Sequence, residues 1–205
     1  VERLYHHDDR AEVVARPTDV RYRHLTRLRI FFPPAEEAAP TASTFLERAT
    51  ATLNAVAKTG DHPNILKVWP VPNENQYIVE GSDWSETGTL RDVILSDGKV
   101  ELDRAVSIAA GILEGLAAIH NKDVIHRAVS PENILMAGDV PKLMNFDLSY
   151  QLEEDRATVI PDASALSRSP YISPEIYQSG PLTEAADLFS VGVILYELLT
   201  GERPF

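Results

Sequence analysis

Two short runs hold the residue types from which a reactive site is built. Residues 126–133 read His-Arg-Ala-Val-Ser-Pro-Glu-Asn, and residues 145–147 read Asn-Phe-Asp. Together they offer an imidazole (His126), a guanidinium (Arg127), a hydroxyl (Ser130), two amides (Asn133, Asn145) and a carboxylate at Asp147. Amide and carboxylate oxygens are both ligands for hard cations such as Mg²⁺, which favours the charged ones. Asn145 is therefore a weaker ligand than a carboxylate would be. Asp147 lies two residues on, so in an extended segment it faces the same side as Asn145. It is either a metal ligand or, the preferred reading, a surface or turn carboxylate. Ala128, in the middle of the first run, can accept no proton and orient no hydroxyl.

Other chemistries are thin. The chain has no cysteine, which excludes disulfides, thiolate nucleophiles and Cys-based zinc sites. Its six histidines show no paired metal-ligand spacing, and His6-His7 beside Asp8-Asp9 reads as an exposed turn.

The elements that must position these runs fall into two halves. The first 80 residues read as short strands around one helix. Val13–Ala15 and Leu25–Phe32 are β-prone, Pro33-Pro34 ends the second run, and a helix from Phe45 to Lys58 is stopped by Gly60. Strand-like segments follow at Ile65–Trp69 and Gln76–Glu80. The rest is mainly helical. A short amphipathic helix covers Thr89–Leu95. Leu102–His120 carries apolar residues at 105, 108, 109, 112, 113, 116 and 119, a helical repeat. Asp187–Thr200 is apolar nearly all round, as a helix buried on most sides must be. Gly201 closes it and Pro204 follows.

At 205 residues the chain is long enough for one large domain or two small lobes with a real core. A formal net charge of -12 argues against nucleic acid or an anionic membrane as partner. No apolar run is long enough to span a bilayer, so a cytoplasmic location is expected. Arginine outnumbers lysine 14 to 5, which points to a bacterial source. The chain starts at Val1 and stops just after a helix, and reads as an excised segment of a longer protein.

Taken in order, the motifs resemble those of eukaryotic-type Ser/Thr protein kinases. His62-Pro63-Asn64-Ile65 resembles the segment after the family's αC helix. Tyr77–Glu80 resembles the strand entering the hinge, and Gly88-Thr89-Leu90 the start of αD. Residues 126–133 resemble the catalytic loop His-Arg-Asp-Leu-x-x-x-Asn, and Asn145-Phe146-Asp147 the Asp-Phe-Gly metal motif. Tyr171–Glu175 resembles the Ala-Pro-Glu segment, and residues 187–201 helix αF. Seven matches in order make the likeness specific, and it covers almost the whole chain.

The resemblance implies an α+β, two-lobe kinase-like fold ending after αF, with residues 1–80 as the sheet lobe and 81–205 as an incomplete helical lobe. It also shows what differs. Ala128 replaces the proton-accepting Asp and Ser130 the phosphate-stabilising Lys. Asn145 replaces the metal-binding Asp, and Asp147 stands at the glycine. The Gly-rich hairpin aligns with His6–Val13, which has no glycine; Ala11 takes the last glycine and Val13 the following valine. Asp8 and Asp9 there would repel a polyphosphate. Arg29 falls in the slot of the strand lysine, keeping the charge but not the shape. That Arg27 and Arg29 are merely solvated strand residues is an equal alternative. The αC glutamate stays unassigned among Glu47, Arg48 and Thr50.

The retained residues are structural by the same likeness: His126 and Phe146 in the interlobe spine, Leu135 under the adenine site, Asp187 holding the catalytic-loop backbone, and Glu175 facing an arginine beyond Phe205. Arg127 would meet a phosphate on the segment carrying Thr158, Ser164, Ser167, Ser169 and Tyr171, against the preferred reading of a solvated loop. The expectation is a degenerate family member, a pseudokinase with no catalytic residue, metal or cofactor. It would act as scaffold or allosteric regulator on a protein partner or a neighbouring domain of the same chain. The pseudo-nucleotide site is Arg29, Asn133, Asn145 and Asp147. The alternative is a weakly active ATP- and Mg²⁺-dependent Ser/Thr kinase, or an ATP sensor without turnover.

Overall fold

Antiparallel pairing of short β-prone runs builds the first part of the molecule. The computed structural model describes residues 3–6, 10–15, 25–31, 56–57, 59–71, 78–146, 150–151, 169–177 and 183–205. Strands β1 (Arg3–His6), β2 (Arg10–Ala15), β3 (Leu25–Phe31), β4 (Val68–Pro70) and β5 (Ile78–Trp84) form one sheet in the order β1-β2-β3-β5-β4. All its neighbours are antiparallel. Directly opposed residues share a face. Glu12 opposes Arg29 and Val14 opposes Arg27, while Arg27 and Arg29 oppose Ser82 and Glu80 on the other side. One face of the sheet therefore gathers Glu12, Val14, Arg27, Arg29, Glu80 and Ser82. Val13 pairs with Leu28 on the opposite face, so Val14 takes the place expected for Val13.

β5 runs four residues past the strand expected over Gln76–Glu80, to Trp84, so Glu80 lies in mid-strand. The reason is cross-strand pairing, with β3 on one side and β4 on the other. Gly81 opposes Trp69, and a Cβ at 81 would lie 2.3 Å from the indole nitrogen. A glycine that weakens a strand by composition here lets an aromatic ring close over it.

The helical part is built on α2 (Leu102–His120), preceded by α1 (Leu90–Asp97) and followed by α3 (Pro174–Tyr177) and α4 (Ala185–Thr200). α1 starts at a capping box: Thr89 Oγ1 accepts from the Asp92 N–H, and the Asp92 carboxylate accepts from the Thr89 N–H at 2.7 Å. α2 buries Ala105, Ile108, Ile112, Leu116 and Ile119 against α4, which buries Val191, Val193, Ile194 and Leu198. Gly201 closes α4 with φ 80°, the left-handed cap. No helix among the described residues is long and apolar enough to cross a membrane.

Two hairpin-like pairs lie between. β6 (Val124–Ile125) pairs with β9 (Tyr150–Gln151), and β7 (Ile134–Ala137) with β8 (Val140–Leu143). The sheet lobe is tied to them through Asn64. Its Nδ2 donates to Pro141 O at 3.0 Å, its carbonyl accepts from Leu143 N at 2.8 Å, and Leu66 N donates to Leu143 O at 2.8 Å. The helix from Phe45, the hairpin at His7–Asp9, Glu47, Arg48, Thr50 and Asp147 lie outside the described residues.

Candidate functional site

The 126–133 loop is fixed from below by one buried carboxylate. Asp187, wholly excluded from solvent on α4, accepts from the backbone N–H of His126 at 2.9 Å and of Arg127 at 2.8 Å. His120 Nε2, at the end of α2, lies 2.8 Å from the same carboxylate. A buried carboxylate without donors would be several kcal/mol unfavourable, so these groups hold each other in place. The clamp also holds Arg127 at φ 68°, a left-handed conformation that costs a non-glycine residue about 1–2 kcal/mol.

His126 works as a strut. Its Nε2–H donates to Met144 O at 3.1 Å, its Nδ1 faces the Ala128 N–H at 3.4 Å, and its ring packs on Phe146 with centroids 4.7 Å apart. This fixes the segment that carries Asn145. Asn145 has φ 63°, a conformation asparagine tolerates better than other side chains. Ser130 caps the short 3-10 turn Pro131–Asn133 and accepts from Asn133 N at 2.9 Å through its carbonyl.

The three amides then line up. Asn145 Nδ2 donates to Asn133 Oδ1 at 2.7 Å, and Asn133 Nδ2 donates to Ala128 O at 2.7 Å. Asn145 Oδ1 in turn accepts from Arg27 Nη2 at 2.8 Å. Arg27 comes from the sheet lobe, is 3% exposed, and also donates from Nε and Nη2 to Glu12 Oε2 at 3.1 and 2.7 Å. Its Nη1 points at Met144 Sδ at 3.4 Å and its guanidinium lies 5.3 Å from the Trp84 ring centroid. Arg29 sits alongside, 4% exposed, 3.3 Å from Glu12 Oε1 and 3.4 Å from Glu80 Oε2.

The sequence placed Arg29 in the phosphate-lysine slot. In the fold Arg27 is the cation that reaches Asn145, whereas Arg29 meets Glu12 and Glu80. The reading of both as solvated strand residues is overturned by their burial. Among the described residues, two guanidinium and two carboxylate groups meet here. Around it, Arg27, Arg29, Glu80, Ser82, Met144 and Asn145 line a cavity of about 20 Å³. That is room for a water-sized occupant.

Divalent-metal chemistry needs oxygen ligands free to turn to the ion. Here Asn133 Oδ1 and Asn145 Oδ1 each accept a hydrogen bond, and a guanidinium stands beside the second. Neither carries charge, and among the described residues no group of three acidic, His or Cys side chains is placed to hold a metal. Among the described residues the arrangement does not fit Mg²⁺; Asp147 lies outside them.

Residues 37–205 match the family model for the protein kinase domain. The chain belongs to the protein kinase family. Within that family it is 34% identical over 163 residues to the serine/threonine-protein kinase PknL of Mycobacterium tuberculosis, covering 78% of this chain and 40% of that protein. It is 30% identical to PrkC of Bacillus subtilis over 73% of this chain and 23% of that protein. The figures for PknB of Mycobacterium leprae are 32%, 71% and 24%. The kinase-family chain thus spans less than half the length of these relatives. Its sheet lobe, helical lobe and their order are those of a protein kinase domain, as the motif order implied.

One polar network escaped the sequence. Arg91 on α1 donates to Glu132 Oε1 and Glu197 Oε1, each at 2.8 Å, and to the Tyr171 hydroxyl, which itself donates to Glu197. Burial, then the bond to Glu197, push the Tyr171 phenol above its ordinary range, with Arg91 pulling the other way. Partial desolvation would raise the Glu132 carboxyl, which is still 54% exposed, but its hydrogen bond to Arg91 prevails and holds it below the usual range. Tyr171 is 3% exposed, and its hydroxyl is taken up by Arg91 and Glu197. Thr158, Ser164 and Ser167 lie outside the described residues, and Glu175 sits half-buried in α3. The links of this network join residues 26 to 106 positions apart, separations that no local pattern reports.

Proposed function

We propose that this domain is impaired in phosphoryl transfer and acts by binding, as a scaffold or allosteric regulator within a larger cytoplasmic signalling protein. The observation that carries this is the guanidinium of Arg27 seated on the Asn145 amide, where a kinase would need a metal-bound carboxylate. Support also comes from Ala128, since a positioned base contributes roughly 10²–10⁴ in rate. Ser130 in place of a lysine adds to the loss, and such losses act as a unit. The partner is a protein, either separate or a neighbouring domain of the same chain. The net charge of -12 disfavours nucleic acid.

A weakly active Ser/Thr kinase or an ATP sensor is favoured by two observations: the relatives are named serine/threonine kinases, and Asn133 keeps its amide at the cleft. ATP and Mg²⁺ would be its cofactors. Titrating ATP with and without Mg²⁺ while following thermal unfolding separates the readings. The expected result is no shift in melting temperature at millimolar nucleotide. A Mg²⁺-dependent rise would overturn the binding-only reading.

A further inference from the structure

The Arg27 contacts run in two directions. Glu12 and Trp84 belong to the sheet lobe, while Met144 and Asn145 belong to the segment propped by His126 in the helical lobe. From Asn145 the hydrogen bonds continue to Asn133 and end on the Ala128 carbonyl. From Arg27 Nη2 onward every link is 2.8 Å or shorter. The Arg27 bonds to Glu12 and Asn145 are charge-assisted, and such bonds are strong and directional.

We propose that Arg27 is a built-in latch that holds the sheet lobe closed on the helical lobe with no nucleotide or metal between them. The guanidinium takes the part of a bridging cation. Glu12 fixes it to the sheet, and the Asn145–Asn133–Ala128 relay fixes it to the 126–133 loop. This deepens the binding-only reading, and rests on it in taking the metal-free cleft as the working state. A domain latched in this way presents one fixed surface to a partner, whatever the nucleotide level.

The cysteine-free chain permits two unique spin labels, at Pro70→Cys on the sheet and Glu114→Cys on α2, both exposed in the fold. With chelator present and no nucleotide, the expected result is one narrow interlabel distance. Arg27→Met and Asn145→Ala should each broaden and lengthen it, while Arg29→Met, which leaves the Arg27–Asn145 contact, should keep it narrow. Should Arg27→Met fail to fold, Asn145→Ala reads the same contact with the Arg27–Glu12 pair intact. A broad distribution in the unsubstituted protein overturns the latch, as does a narrow one in a folded Asn145→Ala. Mg²⁺·ATP that raises the melting temperature of the unsubstituted protein would overturn the binding-only reading. The narrow nucleotide-free distance, and the latch with it, would stand.

Discussion

A neutral amide at position 145 does two jobs that a carboxylate could not combine. Its oxygen takes the Arg27 hydrogen bond and its nitrogen donates to Asn133 Oδ1. A carboxylate would meet that oxygen with another acceptor. Asn145→Gly tolerates φ 63° and removes only the side-chain bonds. We expect it to lower stability by about 1–3 kcal/mol, the cost of leaving buried partners unsatisfied, read as a drop in the urea midpoint at unchanged slope. Arg27 and Arg29 make a second point at this scale. They share a face and both are buried, so which of them meets Asn145 was never a matter of residue type. It is set by how far each stands from the segment that His126 props.

At the scale of the element, α2 carries two glycines for a reason that helix propensity alone would count against. A Cβ at Gly111 would lie 2.8 Å from Asn64 Nδ2 and from Pro141 Cγ, and one at Gly115 would lie 2.7 Å from Asn64 O. Alanine gains about 1 kcal/mol in an exposed helix. Gly115→Ala should instead lose about 1–3 kcal/mol, because the backbone it meets cannot move aside; chemical denaturation of the single variant checks the sign. α1 and α4 are joined by Arg91, Tyr171 and Glu197, and this link is sensitive to alkali. The Tyr171 phenol is raised in the fold, chiefly by burial. Its stabilising effect is therefore full below the ordinary phenol range and is lost as pH rises through it toward the folded value. Tyr171→Phe should be less stable than the unsubstituted protein at about pH 8, and the gap should narrow by about pH 11. A gap that does not change with pH would show that the hydroxyl adds nothing to the pH dependence.

At the scale of the molecule, the two lobes meet through Asn64 as well as through Arg27. Asn64→Ala would leave Pro141 O without its donor in a buried place. We expect a loss of about 1–3 kcal/mol, together with faster amide exchange in both β8 and the 59–66 turn. Exchange confined to one of them would mean that the lobes open independently. Much of this architecture was legible beforehand. The Leu102–His120 helix is read to the residue, because six of the seven apolar positions of its repeat are buried; the seventh, Leu113, is exposed. The Gly201 stop and the Thr89 start were equally local. β5 was cut short at Glu80 because Gly81, Ser82 and Asp83 are poor strand formers by themselves, and only pairing with β3 and the ring of Trp69 keeps the strand going.

The sequence by itself determined which side chains stand at the positions of the family's motifs. A methyl group at 128, a hydroxyl at 130 and an amide at 145 are facts of residue type, and the motif order around them determined the family fold. What only the tertiary structure decided is what fills the space left over. Charges on strands far apart in the chain are neutral in sequence terms; folded, Glu12, Arg27, Arg29 and Glu80 converge on one sheet face. The pairing register selects Arg27 over Arg29 for Asn145, because a hydrogen bond is settled by distances of a few tenths of an ångström between atoms 118 residues apart.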